Sequence, residues 1–253
     1  MIDRHSDYDL FAWVYNRHWQ DFGEQALPVI DELVLQELAP GSCILDLCCG
    51  AGQLAQELVV RGYLVSGLDG SGEMLRFARE NAPGAEFILG DARTFRLPSV
   101  YHAVISTFDS LNHIMSLAEL TAVFCNVYAA LRADGLFLFD LNTEEGYVSF
   151  WEGSFGIVED DHACVVRSSY YPEERRAQFD VTIFRLQDGW QRSDLTLPQR
   201  CYSESEVRAA LKTAGFIQIR TYGYDIEQGL TALTEEAHRV FFLCRKPAVG
   251  GSD

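Results

Sequence analysis

The chain has 253 residues, of which 20 are Lys or Arg and 37 are Asp or Glu, for a formal net charge of −17. With 48 % hydrophobic residues it can build a full core, and its length fits one large domain or one domain carrying an insertion, so global disorder is excluded. The acidic balance argues against a nucleic-acid backbone as partner, because phosphate binding needs a basic face. No run approaches the ~18 apolar residues of a membrane span. The opening Met1-Ile2-Asp3-Arg4-His5-Ser6-Asp7 lacks the apolar core of a signal peptide. The 7 cysteines are odd in number and form no CxxC pair. That disfavours a disulfide framework or a structural zinc site, and a reduced, cytoplasmic protein is expected.

Residues 1–40 read as a helical cap, rich in aromatics at Tyr8, Phe11, Trp13, Tyr15 and Trp19. Leu27, Ile30, Leu33, Val34 and Leu38 follow at helical spacing, with Pro28 expected in the first turn and Pro40-Gly41 as the stop. From Cys43 to Asp140, short apolar strands alternate with helices. Strands are expected at Cys43–Leu47, Tyr63–Leu68, Glu86–Leu89, Val100–Ser106 and Leu136–Leu141. Helices are expected at Gln53–Arg61, Glu73–Asn81 (Ser71 as N-cap) and Leu117–Leu131. Continuous apolar strands separated by helices mean a mostly parallel sheet covered on both faces.

Between 142 and 202 the period drops to two: Ala177, Phe179, Val181 and Ile183 alternate with Gln178, Asp180 and Thr182. Asp188-Gly189 and Pro172-Glu173-Glu174 read as turns, so an antiparallel β meander is inserted in the α/β frame. Acidic runs at Glu144-Glu145 and Glu159-Asp160-Asp161 read as solvated loops. The frame resumes over 203–247, with a helix at Glu204–Thr213 capped by Ser203 and Glu206 and ended by Gly215. Strands at Phe216–Tyr222 and Arg239–Cys244 bring the expected sheet to seven strands, and 248–253 reads as a flexible tail.

Chemistry concentrates in Ile44-Leu45-Asp46-Leu47-Cys48-Cys49-Gly50-Ala51-Gly52-Gln53-Leu54-Ala55, a strand, a Gly-x-Gly turn and a helix. Glycine lets the backbone turn tightly and lets a ligand approach, and the helix points free N–H groups at it. Asp69 ends the second strand, where an acid accepts hydrogen bonds from a ribose diol. Asp91 follows the third strand in Gly90-Asp91-Ala92. A nicotinamide dinucleotide site would share the turn and the ribose acid. It has no special need of Asp46 inside the first strand, which suits a cationic ligand rather than a pyrophosphate.

Ile44–Ala55 resembles motif I of the class I S-adenosylmethionine-dependent methyltransferases. Gly67-Leu68-Asp69-Gly70-Ser71-Gly72-Glu73-Met74-Leu75 is similar to their second motif and Gly90-Asp91-Ala92 to their third. The segments Ala129–Leu138 and Arg200–Phe216 resemble the later parts of the small-molecule branch, and within it the N-methyltransferases of small amines and amino sugars. The resemblance implies a Rossmann-like doubly wound fold and S-adenosylmethionine as cofactor. Gly50 and Gly52 would pass the methionine part, with Asp46 organising its surroundings. Asp69 would hold the ribose, Gly70 and Met74 would lie near the adenine, and Asp91, beside Ala92, would bind its amino group. Thr107 and Phe108 would offer backbone to the methionine end. Cys48 departs from the family, which more often has glycine there. The segment Ser106-Thr107-Phe108-Asp109-Ser110 lacks the Asn-Pro-Pro-Tyr pattern of enzymes that methylate nucleic-acid bases.

Methyl transfer from a sulfonium needs alignment and exclusion of water more than it needs a general acid. An acceptor hydroxyl wants a base, and His113 in Leu111-Asn112-His113-Ile114 is the candidate, the competing reading being a histidine that packs or caps. Tyr15 is the candidate lid over the sulfonium with Trp19 beside it, the competing reading for both being helix-to-sheet packing. Met74 reads equally as packing. Asn142 stands at the ligand-binding edge beyond the fifth strand. His5, His18, His102, His162 and His238 show no metal-ligand spacing. The aromatic-rich insertion reads as a sheet core that also covers the substrate or forms a homodimer face. The expected function is methyl transfer to nitrogen or oxygen of a small molecule. The alternatives are a nicotinamide-dependent oxidoreductase and a non-catalytic S-adenosylmethionine-binding protein.

Overall fold

A computed structural model describes residues 6–19, 22–225 and 228–248 of the chain. The expected tail over 248–253 lies, after Ala248, outside the described residues. Apolar strands bury themselves side by side in one eight-stranded sheet. In chain order its members are β1 (Cys43–Leu47), β2 (Leu64–Asp69), β3 (Glu86–Leu89), β4 (Tyr101–Ser106) and β5 (Leu131–Asn142). A second, four-stranded sheet holds β6 (Gly153–Val158), β7 (His162–Tyr171), β8 (Arg176–Gln187) and β9 (Gly189–Arg200). The large sheet is completed by β10 (Ile217–Asp225), β11 (Gly229–Thr231) and β12 (Arg239–Arg245). Its order is β11-β10-β12-β5-β4-β1-β2-β3, with β1 to β5 parallel and β12 antiparallel to β5. The strand order reverses at β1/β4, and ligands bind beyond the carboxyl ends of strands at such a point.

Alternate residues of the central strands face opposite layers. Leu45, Leu47, Val104, Phe137, Phe139 and Phe242 pack with Leu120, Phe124, Val207 and Leu211 of α5 (Leu117–Ala130) and α7 (Glu204–Ala214). Ile44, Ala103, Ile105, Leu136 and Leu138 pack with Val29, Ile30, Leu54 and Leu58 of α2 (Phe22–Leu33) and α3 (Gln53–Val60). Coverage on both faces is why these strands read as continuous apolar runs. The doubly wound, mostly parallel α/β architecture with a helical cap and an inserted meander is therefore present.

Several local expectations change. The sheet has eight strands rather than seven, because β10 turns back into the three-residue β11. Pro28 lies inside α2 instead of in its first turn, where its ring removes one intrahelical hydrogen bond. Pro40-Gly41 does not end that helix: α2 stops at Leu33, and a 3₁₀ turn at Leu35–Glu37 intervenes. Glu144 and Glu145 are not loop residues but the first turn of α6 (Glu144–Phe150), capped by Thr143 and well placed against the helix dipole. The capping expectations agree with the structure: Ser71 accepts from Met74 N–H ahead of α4 (Gly72–Asn81), and Ser203 with Glu206 forms the capping box of α7.

The remaining helix, α1 (Ala12–His18), sits between the two sheets. Phe11 and Val14 pack on Cys164, Val166, Val181, Ile183 and Leu197 of the small sheet. Ala12 packs instead on Ala51, Met74 and Phe77 of the frame. The cap thus roofs the carboxyl edge of β1 and β2, and the insertion backs the cap. Among the described residues no helix is long and apolar enough to cross a membrane.

Candidate active site

The turn after β1 runs through left-handed backbone at Cys48 (φ 62°), Gly50 (φ 53°) and Gly52 (φ 81°). A side chain at Cys48 must tolerate a conformation that glycine adopts freely, which explains the family's usual residue there. A Cβ at Gly52 would stand 3.0 Å from Ala78 Cα, so glycine also allows α3 and α4 to approach. The turn is tied to β2: Gly50 N–H donates to Asp69 Oδ2 at 2.9 Å and Ser71 N–H to Asp69 Oδ1 at 2.8 Å. Burial pushes the Asp69 carboxyl up, and the backbone donors pull it back.

Asp46 is 3 % exposed, and its Oδ2 has no hydrogen-bond partner. Burial, reinforced by the Asp69 charge, raises its pKa to about 7. Both acids face a cavity of about 1520 Å³. Small-molecule pockets span roughly 300–1,000 Å³, so this one has room for two ligands side by side.

Asp46, Gly50, Asp69, Gly70, Met74, Asp91, Ala92, Thr107, Phe108, Tyr15 and His113 all line that cavity; Gly52 shapes the turn from behind. Met74 also packs on Ala12, Ala51 and Phe77, as the packing reading expects. Asp91 accepts from Arg93 Nε at 2.9 Å and from Arg93 Nη2 at 2.6 Å, a partner the sequence reading did not assign. Phe108 (φ 61°) and Asp109 (φ 49°) continue β4 in left-handed backbone, a second strained turn on the same cavity. Tyr15 lies over the glycine turn, 3.6 Å from where a Gly50 Cβ would stand, and stacks on Trp19 with centroids 6.2 Å apart.

His113, in the 3₁₀ turn Ser110–His113, is held from three sides. Its Nδ1 lies 2.8 Å from the Pro198 carbonyl, which only accepts, so Nδ1 carries the proton and Nε2 is the basic nitrogen. Tyr8 Oη at 2.8 Å and Gln199 Nε2 at 3.0 Å both donate to that Nε2. Burial lowers the His113 pKa, keeping the ring neutral near pH 7. Asn142 is buried on the same wall, with its N–H donating to Asn112 Oδ1 at 3.0 Å.

Sequence reasoning missed the group beside His113. Gln199 Nε2 donates to Asp109 Oδ2 at 2.5 Å, and Tyr147 Oη donates to Gln199 Oε1 at 2.7 Å. Arg239 Nη2 donates to Asp109 Oδ1 at 2.8 Å, its Nη1 pairs with Asp140 Oδ2, and Asp109 N–H reaches that same oxygen at 3.0 Å. Asp140 lies two residues before Asn142, which ends β5, and that position near the ligand-binding edge was the available signal. The partners Gln199 and Arg239 come from β9 and β12, which no local pattern joins to β4. His18 and His162 also meet, Nε2 to Nε2 at 2.7 Å, linking cap to insertion where the sequence showed two unrelated histidines.

Residues 44–135 match a family model described as a methyltransferase domain. The chain is 28 % identical over 209 residues to a putative methyltransferase, YqeM, of Bacillus subtilis, covering 80 % of this chain and 83 % of that one. It is 29 % identical over 181 residues to the dTDP-3-amino-3,4,6-trideoxy-alpha-D-glucopyranose N,N-dimethyltransferase of Streptomyces venezuelae, covering 70 % and 73 %. Among solved structures, an S-adenosylmethionine-dependent methyltransferase from Clostridium acetobutylicum superimposes with a TM-score of 0.77 at 19 % identity, over 96 % of this chain and 100 % of that one. The chain belongs to the class I S-adenosylmethionine-dependent methyltransferases. It is an enzyme of the branch that methylates small molecules, with S-adenosylmethionine as its methyl donor. These likenesses support neither the oxidoreductase nor the binder without turnover.

Proposed function

We propose that the chain transfers a methyl group to the nitrogen of a small-molecule amine, with the cofactor held by the turn after β1. The unpartnered, buried Oδ2 of Asp46 on the cavity wall carries this reading. A carboxylate oxygen without a donor fits a cationic sulfur or ammonium. Two neighbouring acids, Asp46 and Asp69, would repel a pyrophosphate. Asp69 keeps acceptor capacity for the ribose hydroxyls after its two backbone bonds, since an ionised carboxylate offers about four lone-pair sites. Gly50 and Gly52 form the cradle, Gly70 and Met74 flank the adenine, and Asp91 with Ala92 borders its amino group. Thr107 and Phe108 offer backbone to the methionine end.

When bound, S-adenosylmethionine supplies an electrophilic methyl carbon. The protein aligns the acceptor and excludes water, an effect that reaches about 7–11 kcal/mol in well-oriented systems. Tyr15 and Trp19 roof the site, and Tyr8, which lines the cavity and donates to His113 Nε2, passes its proton to that nitrogen as its oxygen takes the one the acceptor sheds. Nitrogen is favoured over oxygen because the Streptomyces venezuelae relative is named for N,N-dimethylation of an amino sugar.

Calorimetry tests the residue roles. Asp69→Ala is expected to weaken S-adenosylhomocysteine binding by about tenfold or more, as loss of a charged hydrogen-bond acceptor does. His113→Gln is expected to lower kcat and leave that binding intact. Unchanged nucleoside affinity in Asp69→Ala would remove its assigned part.

Two coarser readings accompany this one. A cytoplasmic location is supported by seven cysteines that are all free thiols. A homodimer through the 142–202 insertion is supported by exposed Phe150, Phe155, Val158 and Trp190 and by the open edges of β6 and β9. Sedimentation measurements check the latter; a monomer at micromolar concentration would remove it.

A further inference from the structure

We infer that Asp140 and Asp109, bridged by Arg239, form the acceptor-binding group, and that they select an amine carried on an apolar body. The assignment rests on the methyltransferase reading and adds the head group that the acceptor must have. Three adjacent strands bring the cluster together. Asp109 follows β4, Asp140 lies two residues before the end of β5, and Arg239 opens β12, with Asp140 opposite Phe241 and Asn142 opposite Arg239 in register. All three residues line the large cavity.

One guanidinium faces two carboxylates, so the group is left net negative. Asp109 Oδ1 and Oδ2 are taken by Arg239 and Gln199, and Asp140 Oδ2 by Arg239 and the Asp109 N–H. Asp140 Oδ1 has no partner, although the residue is 1 % exposed. A buried carboxylate oxygen left bare costs free energy unless a donor reaches it. The cavity side is where a donor can come from, and a protonated amine is a donor that also carries the positive charge a net-negative group favours. A carboxylate head group would instead meet two like charges.

An adjoining wall is apolar. Trp151 stacks on Phe179 with centroids 3.9 Å apart, and Phe150, Phe155, Val181 and Leu197 continue the lining. An acceptor with an amine at one end and an apolar or ring body at the other matches both walls.

The same charge assists the chemistry. Loss of one proton to solvent frees the nitrogen lone pair, which forms the new N–C bond while the C–S bonding pair returns to sulfur. Positive charge therefore moves from sulfur onto nitrogen, beside the carboxylates, which stabilise it more in the transition state than before. The nitrogen then sheds a proton to Tyr8 Oη, whose own proton passes to His113 Nε2, the atom that Gln199 ties to Asp109.

Calorimetric titration of the protein saturated with S-adenosylhomocysteine tests the assignment, using benzylamine, benzyl alcohol and benzoate, which share a body and differ in head group. Benzylamine is expected to bind on the order of tenfold tighter than the alcohol, with benzoate weakest, as one charge-assisted hydrogen bond provides. Asp140→Asn and Asp109→Asn are each expected to erase that ranking while S-adenosylhomocysteine still binds as in the wild type. If the wild type treats the three alike, or binds none, or if both variants keep the ranking, the assignment is overturned and the methyltransferase reading stands. Failure of the wild type to bind S-adenosylhomocysteine would instead overturn the reading beneath it. Should a variant not fold, the wild-type ranking decides alone.

Discussion

In the proposed function, one buried acid, Asp46, couples cofactor binding to pH. Its pKa of 3.8 rises to about 7 in the folded protein, chiefly through burial. A raised folded-state pKa means its contribution to stability is full below about pH 4 and is lost as pH climbs toward about 7. A cation beside Asp46 reverses that preference, because it favours the ionised form. S-adenosylmethionine affinity is therefore expected to rise by up to about tenfold per pH unit toward pH 7 and then level off. Calorimetry across that range, with Asp46→Asn as the flat control, checks it; a slope that persists in the variant would assign the effect elsewhere. Tyr8→Phe removes one donor to His113 Nε2 and is expected to change the pH profile of kcat more than KM for S-adenosylmethionine, which steady-state kinetics reads directly. Asp46 was legible from its place inside an apolar strand. Asp109 was not, because its partners arrive from β9 and β12.

Elements meet at the caps and turns. Ser71 caps α4 through Met74 N–H and also donates to Asp9 Oδ1 at 2.5 Å, so one hydroxyl starts a helix and pins the N-terminal segment over the cavity. Ser71→Ala is expected to cost about 1 kcal/mol from the cap alone. That is a fall of ~2–4 °C in the melting midpoint for a chain of this size, measurable by calorimetry. Gly52→Ala must accept left-handed backbone and a 3.0 Å approach to Ala78, and is expected to cost about 2 kcal/mol or more by the same measurement. Helices and strands of the frame were readable because hydrophobic period and caps are local. Pro28 was placed wrongly for the complementary reason: proline suits a first turn, yet packing of Ile30 and Val29 on the frame kept the helix running from Phe22. The helix α6 was missed because a seven-residue segment carries too few turns for a clear period.

Across the molecule, the cap lies between the frame and the insertion, touching Met74 on one side and Val166 on the other. A ligand enclosed by all three should tighten the whole. S-adenosylhomocysteine at 100 times its dissociation constant is expected to add ~2.7 kcal/mol, raising the midpoint by several degrees in a thermal-shift assay. NAD at the same concentration should leave it unmoved. The sequence by itself determined the parallel frame, the turn after β1, the acids Asp46, Asp69 and Asp91, and hence the kind of ligand. Those features depend on contiguous residues, where spacing and chemistry are fixed by the chain. Only the tertiary structure decided that Tyr8, His113 and Gln199 meet, and that Asp140 stands bare beside Arg239. Those contacts join segments far apart in sequence, and their geometry follows from how two sheets and a cap close on one another.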